Sequence, residues 1–166
     1  MTNNFDENFE KDKMLLNHAL EKYKEEERRN YMIDNKNKNY IFITSLLFVV
    51  EGSNIFNLFY ILDSSIVLML ISSLLCYVIS LIYFILSLKY LPFYSTPTVG
   101  DCFKLQQSDY SFTRITATFI HNYKNVILDN DKLIAKKVQY SKVGVFCLVF
   151  GVCLFVFSVV LGYFYF

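Results

Sequence analysis

Glu51 is the one charged residue in the run YIFITSLLFVVEGSNIFNLFYIL, residues 40–62, and Asn54 and Asn57 follow it at intervals of three. On a helix the three fall within about 120° of one another. A charge at bilayer depth costs at least about 3 kcal/mol, so such a group must face protein or water rather than lipid. One chemistry this permits is a ring of carboxylates, one per copy of an assembly, selecting cations or protons along a wet path. The other is a neutral, hydrogen-bonded helix staple, with the two asparagines as companions. From the residues alone both stay open.

Other reactive residues lead nowhere as firm. His18 and His121 stand in separate segments without a metal-ligand spacing, and each precedes a charged residue, Glu21 or Lys124, as in solvated helices. Asp129 and Asp131 in LDNDK begin like a calcium loop, but the glycine and the closing glutamate are missing. Asp101 and Cys102 follow a turn glycine with no neighbouring base. The four cysteines, Cys76, Cys102, Cys147 and Cys153, form no CxxC pair, and three lie in apolar stretches. We therefore expect no enzyme, no metal and no cofactor. With a formal net charge of +1 and aromatics confined to apolar stripes, nucleic acid is not an expected partner either.

The elements that must position Glu51 are apolar and long. Residues 40–62, 66–88 and 143–166 are runs of 23, 23 and 24 residues, and the last two carry no charge. A bilayer core needs about 20 helical residues, so the expectation is an all-α membrane protein with three transmembrane helices. No apolar core near Met1 marks a secretory leader. The expected organisation is a cytoplasmic helical arm at 1–39, a two-span hairpin at 40–88, a cytoplasmic linker and amphipathic helix at 89–142, and a third span at 143–166. Lysine and arginine decide the orientation. Arg28, Arg29, Lys36 and Lys38 precede the first span, and Lys89, Lys132, Lys136, Lys137 and Lys142 flank the second and third, while the turn at Asp63-Ser64-Ser65 carries a single acid. The positive-inside rule puts the N-terminus inside and the C-terminus outside, as a multi-pass protein of the cell inner membrane.

The spans also have small-residue faces. Ser65, Ser72, Ser73, Cys76, Ser80 and Ser87 gather on one arc of the second, with Ser72, Cys76 and Ser80 as a small-xxx-small ladder. The third carries Gly144, Cys147, Gly151, Ser158 and Gly162 on one side, with Gly144, Gly151 and Ser158 seven residues apart. Such faces let helix backbones approach closely. Three spans do not easily bury all these faces within one chain, which favours a homo-oligomer in the lipid bilayer.

In the cytoplasmic parts, residues 11–38 contain neither Gly nor Pro, with Leu16, Leu20, Tyr23 and Glu27 on one side and an Asn/Asp-rich stretch near residue 35 that threatens to interrupt the helix. Pro92, Pro97 and Gly100 mark a turn region. From 108 to 142 no breaker occurs, and Phe112, Phe119, Tyr123, Val126, Leu133 and Tyr140 recur at spacings of three, four and seven. This reads as a long amphipathic helix feeding the third span, its stripe facing the arm or another subunit. Residues 89–142 hold eight Lys/Arg against four Asp/Glu. Phe112, Phe119, Tyr123, Lys136 and Lys137 are the expected interaction residues, and anionic headgroups the simplest counter-charge. A cytoplasmic signalling partner or a nucleotide is the alternative.

The order of these parts resembles a known group. KMLLNHALEKYKEEERRNYMIDNKNKNYIFITSLLFVVEG at 13–52, a tight hairpin, and YSFTRITATFIHNYKNVILDNDKLIAKKVQYSKVGVFCLVFGVCLF at 110–155 are similar to small bacterial anti-phage membrane effectors, the Pycsar transmembrane effectors and the SLATT group. The shared rhythm falls here on Asn125, Asp129, Leu133 and Lys137. The resemblance covers most of the chain. It implies an oligomeric effector that permeabilises the inner membrane on a cytoplasmic signal. The sequence departs from the Pycsar pattern in having no separate nucleotide-sensor region. A non-conducting membrane scaffold that positions a partner is the alternative.

Overall fold

The computed structural model describes residues 3–58, 63–89 and 112–165, and every described segment is helical except Asp63. Three helices follow in order: α1, Asn3–Leu58; α2, Ser64–Lys89; and α3, Phe112–Tyr165. The protein is all-α. Two helices hold stretches long and apolar enough to cross a membrane, Ser64–Lys89 and the apolar part of Arg114–Tyr163, with mean hydropathy 2.5 and 2.9. The expected first span ends past Leu58, outside the described residues, as do the turn region at Pro92, Pro97 and Gly100 and the pair Asp101 and Cys102.

Expected breaks fail to appear in α1. The Asn/Asp-rich stretch near residue 35 stays helical. Asparagine weakens helices by competing for nearby backbone groups. Here Asn37 is fully buried and its amide is bound to side chains of other helices, so that competition is removed. The expected turn at Asp63-Ser64-Ser65 is instead a helix start. Asp63 is the N-cap: its carbonyl accepts the N–H groups of Ile66 at 3.0 Å and Val67 at 3.1 Å, and Ser65 Oγ donates to its carboxylate at 2.7 Å.

The chain divides into two compact units. In the first, residues 10–31 of α1 and 114–135 of α3 come together, with Tyr23 and Tyr123 edge to face at 6.2 Å. Leu16, Leu20 and Tyr23 are half-buried as their spacing suggests, but Glu26, not Glu27, is the inward acid. The second unit brings together residues 32–58, 64–89 and 136–165. There Ser73 meets Glu51, Ser87 meets Asn37, and Ser80 meets Gly144, so α2 runs antiparallel to both neighbours.

Burial in the second unit follows a strict alternation of three and four. On α2 it takes Ile66, Leu70, Ser73, Tyr77, Ser80, Phe84 and Ser87. On α3 the same spacing buries Lys137, Gly144, Leu148, Gly151 and Ser158 with Ser141 and Phe155 half-buried, and on α1 it buries Asn37, Thr44 and Glu51 with Tyr40 and Leu47 half-buried. A 3.5-residue repeat of this kind is the seam of coiled-coil packing. Bulk and smallness alternate along it. Phe84 and Tyr77 fill the space over Gly144 and Gly151, where a Cβ would stand 2.7 Å from a ring carbon in each case. Tyr40 stacks on Phe84 at 5.2 Å. Outward residues such as Phe42, Val49, Leu68, Ile82, Phe146 and Val160 are exposed and apolar.

Candidate functional site, a polar ladder between three helices

The coiled-coil repeat turns two positions per heptad of each helix inward, and this chain fills one of them with polar or small residues. On α1 it holds Asn37, Thr44 and Glu51; on α2, Ser87, Ser80 and Ser73; on α3, Lys137, Gly144 and Gly151. The three rows meet as successive levels of one ladder.

The level nearest the N-terminal arm is the most connected. Asn37 Nδ2 donates to Ser87 Oγ at 2.7 Å, and Ser141 Oγ donates to Asn37 Oδ1 at 2.7 Å. Ser87 Oγ passes its own proton to the Lys137 carbonyl at 3.0 Å. All three helices are thereby tied at one residue, and each buried amide atom has a partner, as burial away from water requires. The Lys137 ammonium is held by both Asp34 oxygens, at 3.0 and 3.2 Å. Its side chain is 5% exposed.

At the middle level Ser80 Oγ donates to the Gly144 carbonyl at 2.8 Å, and the missing side chain of Gly144 leaves room for the Phe84 ring. Thr44 is fully buried there and turns its hydroxyl to the Tyr40 carbonyl of its own helix at 2.7 Å. The far level holds the carboxylate. Glu51 is 1% exposed, and Ser73 Oγ donates to its Oε1 while also lying 2.8 Å from the Leu70 carbonyl. The Tyr77 hydroxyl lies close enough to Glu51 to interact electrostatically, yet neither it nor Glu51 Oε2 has a hydrogen bond. This is the one level of the ladder with unsatisfied polar atoms.

The expected site residues distribute as follows. Glu51 turns inward within its own chain, with Ser73 as partner. Asn54 and Asn57 belong to α1, but their side chains lie outside the described residues. Ser80, Gly144, Gly151 and Ser158 are buried, and Gly162 is half-buried. Ser72 is a correction: it sits off the inner face, its hydroxyl on the Leu68 carbonyl at 2.8 Å, and Ser73 takes its place. The ladder with a spacing of four drifts away from a 3.5-residue seam. Cys76 is half-buried, flanking Gly151.

In the first unit Tyr123 is half-buried against Tyr23 of the arm and Phe119 is half-buried, while the Phe112 side chain lies outside the described residues; Lys136, in the second unit, is exposed. Lys137 is the second correction: its charge is committed inside the chain to Asp34 and is not presented to a partner. His121 Nε2 pairs with Asn125 at 3.1 Å, and among the described residues no cluster of metal-ligating groups forms. Glu26 is buried with one unpartnered oxygen, and burial, reinforced by Asp131 and opposed by Arg29, pushes its carboxyl up to about 7. Arg29 and Asp131 make an exposed pair at 3.5 Å.

Asn37, Ser141 and Asp34 escaped the sequence reading, and Ser87 entered it only as part of the small-residue arc of α2. The signal was there in the seven-residue spacing of Asn37, Thr44 and Glu51 and of Ser73, Ser80 and Ser87. Over its described residues the chain is thus all-α, with two helices long and apolar enough to cross a membrane and an internal polar seam. No protein-family model, curated protein or solved structure matches it.

Proposed function

We propose that this chain crosses the cell inner membrane three times, N-terminus inside, and acts as an oligomeric effector that permeabilises the bilayer when a cytoplasmic signal parts its helices. The observation that carries this is a carboxylate, Glu51, enclosed with Ser73 in an otherwise uncharged segment. Counted from Tyr40, Glu51 lies about 16 Å along the helix, near the middle of a hydrocarbon core roughly 30 Å thick. A buried polar group at that depth is costly for a structure that has only to span. Parting α1 from α2 would turn Glu51, Ser73, Thr44 and Ser80 towards a neighbouring copy, where they can line a cation or proton path. The arm and residues 112–135 are where a cytoplasmic partner or nucleotide would act, and the effector resemblance supports a role in anti-phage defence.

A second reading has its own observation. The ladder closes within a single chain, which suits a non-conducting scaffold whose polar seam fixes helix register. The test is membrane potential in cells expressing wild type and Glu51→Gln at matched levels. Depolarisation by the wild type alone supports the effector. Equal, undisturbed potentials with and without a co-expressed trigger support the scaffold.

A further inference from the structure

A groove of about 350 Å³ opens on the second unit between α1 and α3. Lys36 and Lys142 stand on its two walls, and Ile33, Tyr40, Val138 and Val145 line the rest. Both lysines are exposed. Among the described residues neither has an ion pair, whereas the nearby Lys137 is already held by Asp34. Ser141, also lining the groove, gives its hydroxyl proton to Asn37, so it offers a ligand only acceptor capacity.

We propose that this groove binds an anionic glycerophospholipid, its phosphate between Lys36 and Lys142 and the start of an acyl chain along Val138 and Val145. The inference rests on the membrane placement proposed above. In that placement Tyr40 opens the first span and Val143 the third, so both lysines sit at the cytoplasmic headgroup level, with Tyr40 as an interfacial aromatic. Two cations over an apolar wall match a phosphodiester attached to a hydrocarbon chain. Basic pockets between spans on the cytoplasmic side bind anionic headgroups in this way. A free phosphate would use the lysines but leave the apolar wall uncovered. The lipid would also bridge α1 and α3 next to the Asn37 level of the ladder. Binding there favours the closed arrangement of these two helices.

The test uses the full chain in vesicles of equal parts phosphatidylglycerol and phosphatidylcholine. Lipid that stays bound after transfer to mild detergent is counted by mass spectrometry. Wild type should retain phosphatidylglycerol in preference by roughly tenfold. Lys36→Gln with Lys142→Gln should reduce that to near parity, and the charge-matched Lys124→Gln with Lys132→Gln should leave it unchanged. Circular dichroism checks that all three are equally helical. Parity in the wild type, or a preference that survives the groove variant, overturns the proposal. Displacement of the bound lipid by inorganic phosphate alone makes this a free-anion site and overturns the lipid assignment. Alkaline carbonate extraction of the starting membranes separates the two levels of claim. A chain that washes off refutes the membrane placement, and one that stays but shows parity refutes only the lipid site.

Discussion

Gly151 on α3 lies against the ring of Tyr77 on α2 so closely that a Cβ at that position would stand 2.7 Å from Tyr77 Cε1. The same ring carries the hydroxyl that lies near Glu51. The Tyr77 side chain therefore takes part both in the close approach of α2 to α3 and in the surroundings of the buried carboxylate.

Gly151→Ala and Gly144→Ala should each destabilise the protein. A helical Gly→Ala change gains about 1 kcal/mol from propensity. Forcing a methyl into the Tyr77 or Phe84 ring costs typically 1–3 kcal/mol, and neither ring can swing away from a packed seam. Gly52, with nothing within 4 Å of its would-be Cβ, is the control. Gly52→Ala should be neutral or stabilising. Unfolding in detergent, followed by circular dichroism, orders the three, and equal effects at all three sites would contradict the packing described.

Asn37 ties three helices, so its removal should be felt at both partners. Asn37→Ala is expected to cost about 1–3 kcal/mol by stranding buried polar atoms. A double-mutant cycle with Ser141→Ala should show coupling of at least about 0.5 kcal/mol. Strict additivity would mean that the 2.7 Å bond contributes nothing to stability.

The Lys137–Asp34 pair, with a buried ammonium and a half-buried carboxylate, should behave differently from its exposed neighbours. Asp34→Ala is expected to cost about 3–5 kcal/mol, because it withdraws the carboxylate from a buried ammonium. Replacing both residues, Asp34→Leu with Lys137→Met, should recover most of that loss. Lys136→Met changes an exposed charge and should lie within about 0.5 kcal/mol of wild type. Thermal unfolding of the three variants beside wild type checks the order.

Glu26 predicts a pH dependence in the first unit. Its folded carboxyl is raised from 4.5 to about 7 by burial and by Asp131. Between those values the folded state holds a proton that the unfolded chain has released. Stability should therefore be fullest at the acid end and fall as pH rises through this window, levelling off above about 7. The fall is on the order of 1–3 kcal/mol. Glu26→Gln should flatten this slope and make the protein more stable than wild type above pH 7. An unchanged slope in the variant would assign the titration elsewhere.

Much of this arrangement was legible in residues 1–166 read as a string. The apolar lengths gave the membrane-competent helices, and the absence of breakers from 11 to 38 and from 108 to 142 gave two long continuous ones. The seven-residue spacing of Gly144, Gly151 and Ser158 marked an inner face of α3. Ser72 and Ser73 show where this stopped. Both are serines on the same arc, and a spacing of four picks the first while the seam buries the second. Angles on a straight helix drift against a 3.5-residue repeat, so adjacent positions are told apart only once a partner helix is present.

Composition and spacing by themselves thus determined what is local: helix type, helix length, and which residues are too polar to face lipid. What they left undetermined is pairing. That Glu51 meets Ser73 and Lys137 meets Asp34 depends on which faces come together when three helices pack. The tertiary structure decided these through contacts far apart in the chain, such as the rings of Tyr77 and Phe84 over Gly151 and Gly144. Their close fit sets the register, and register brings each polar level together.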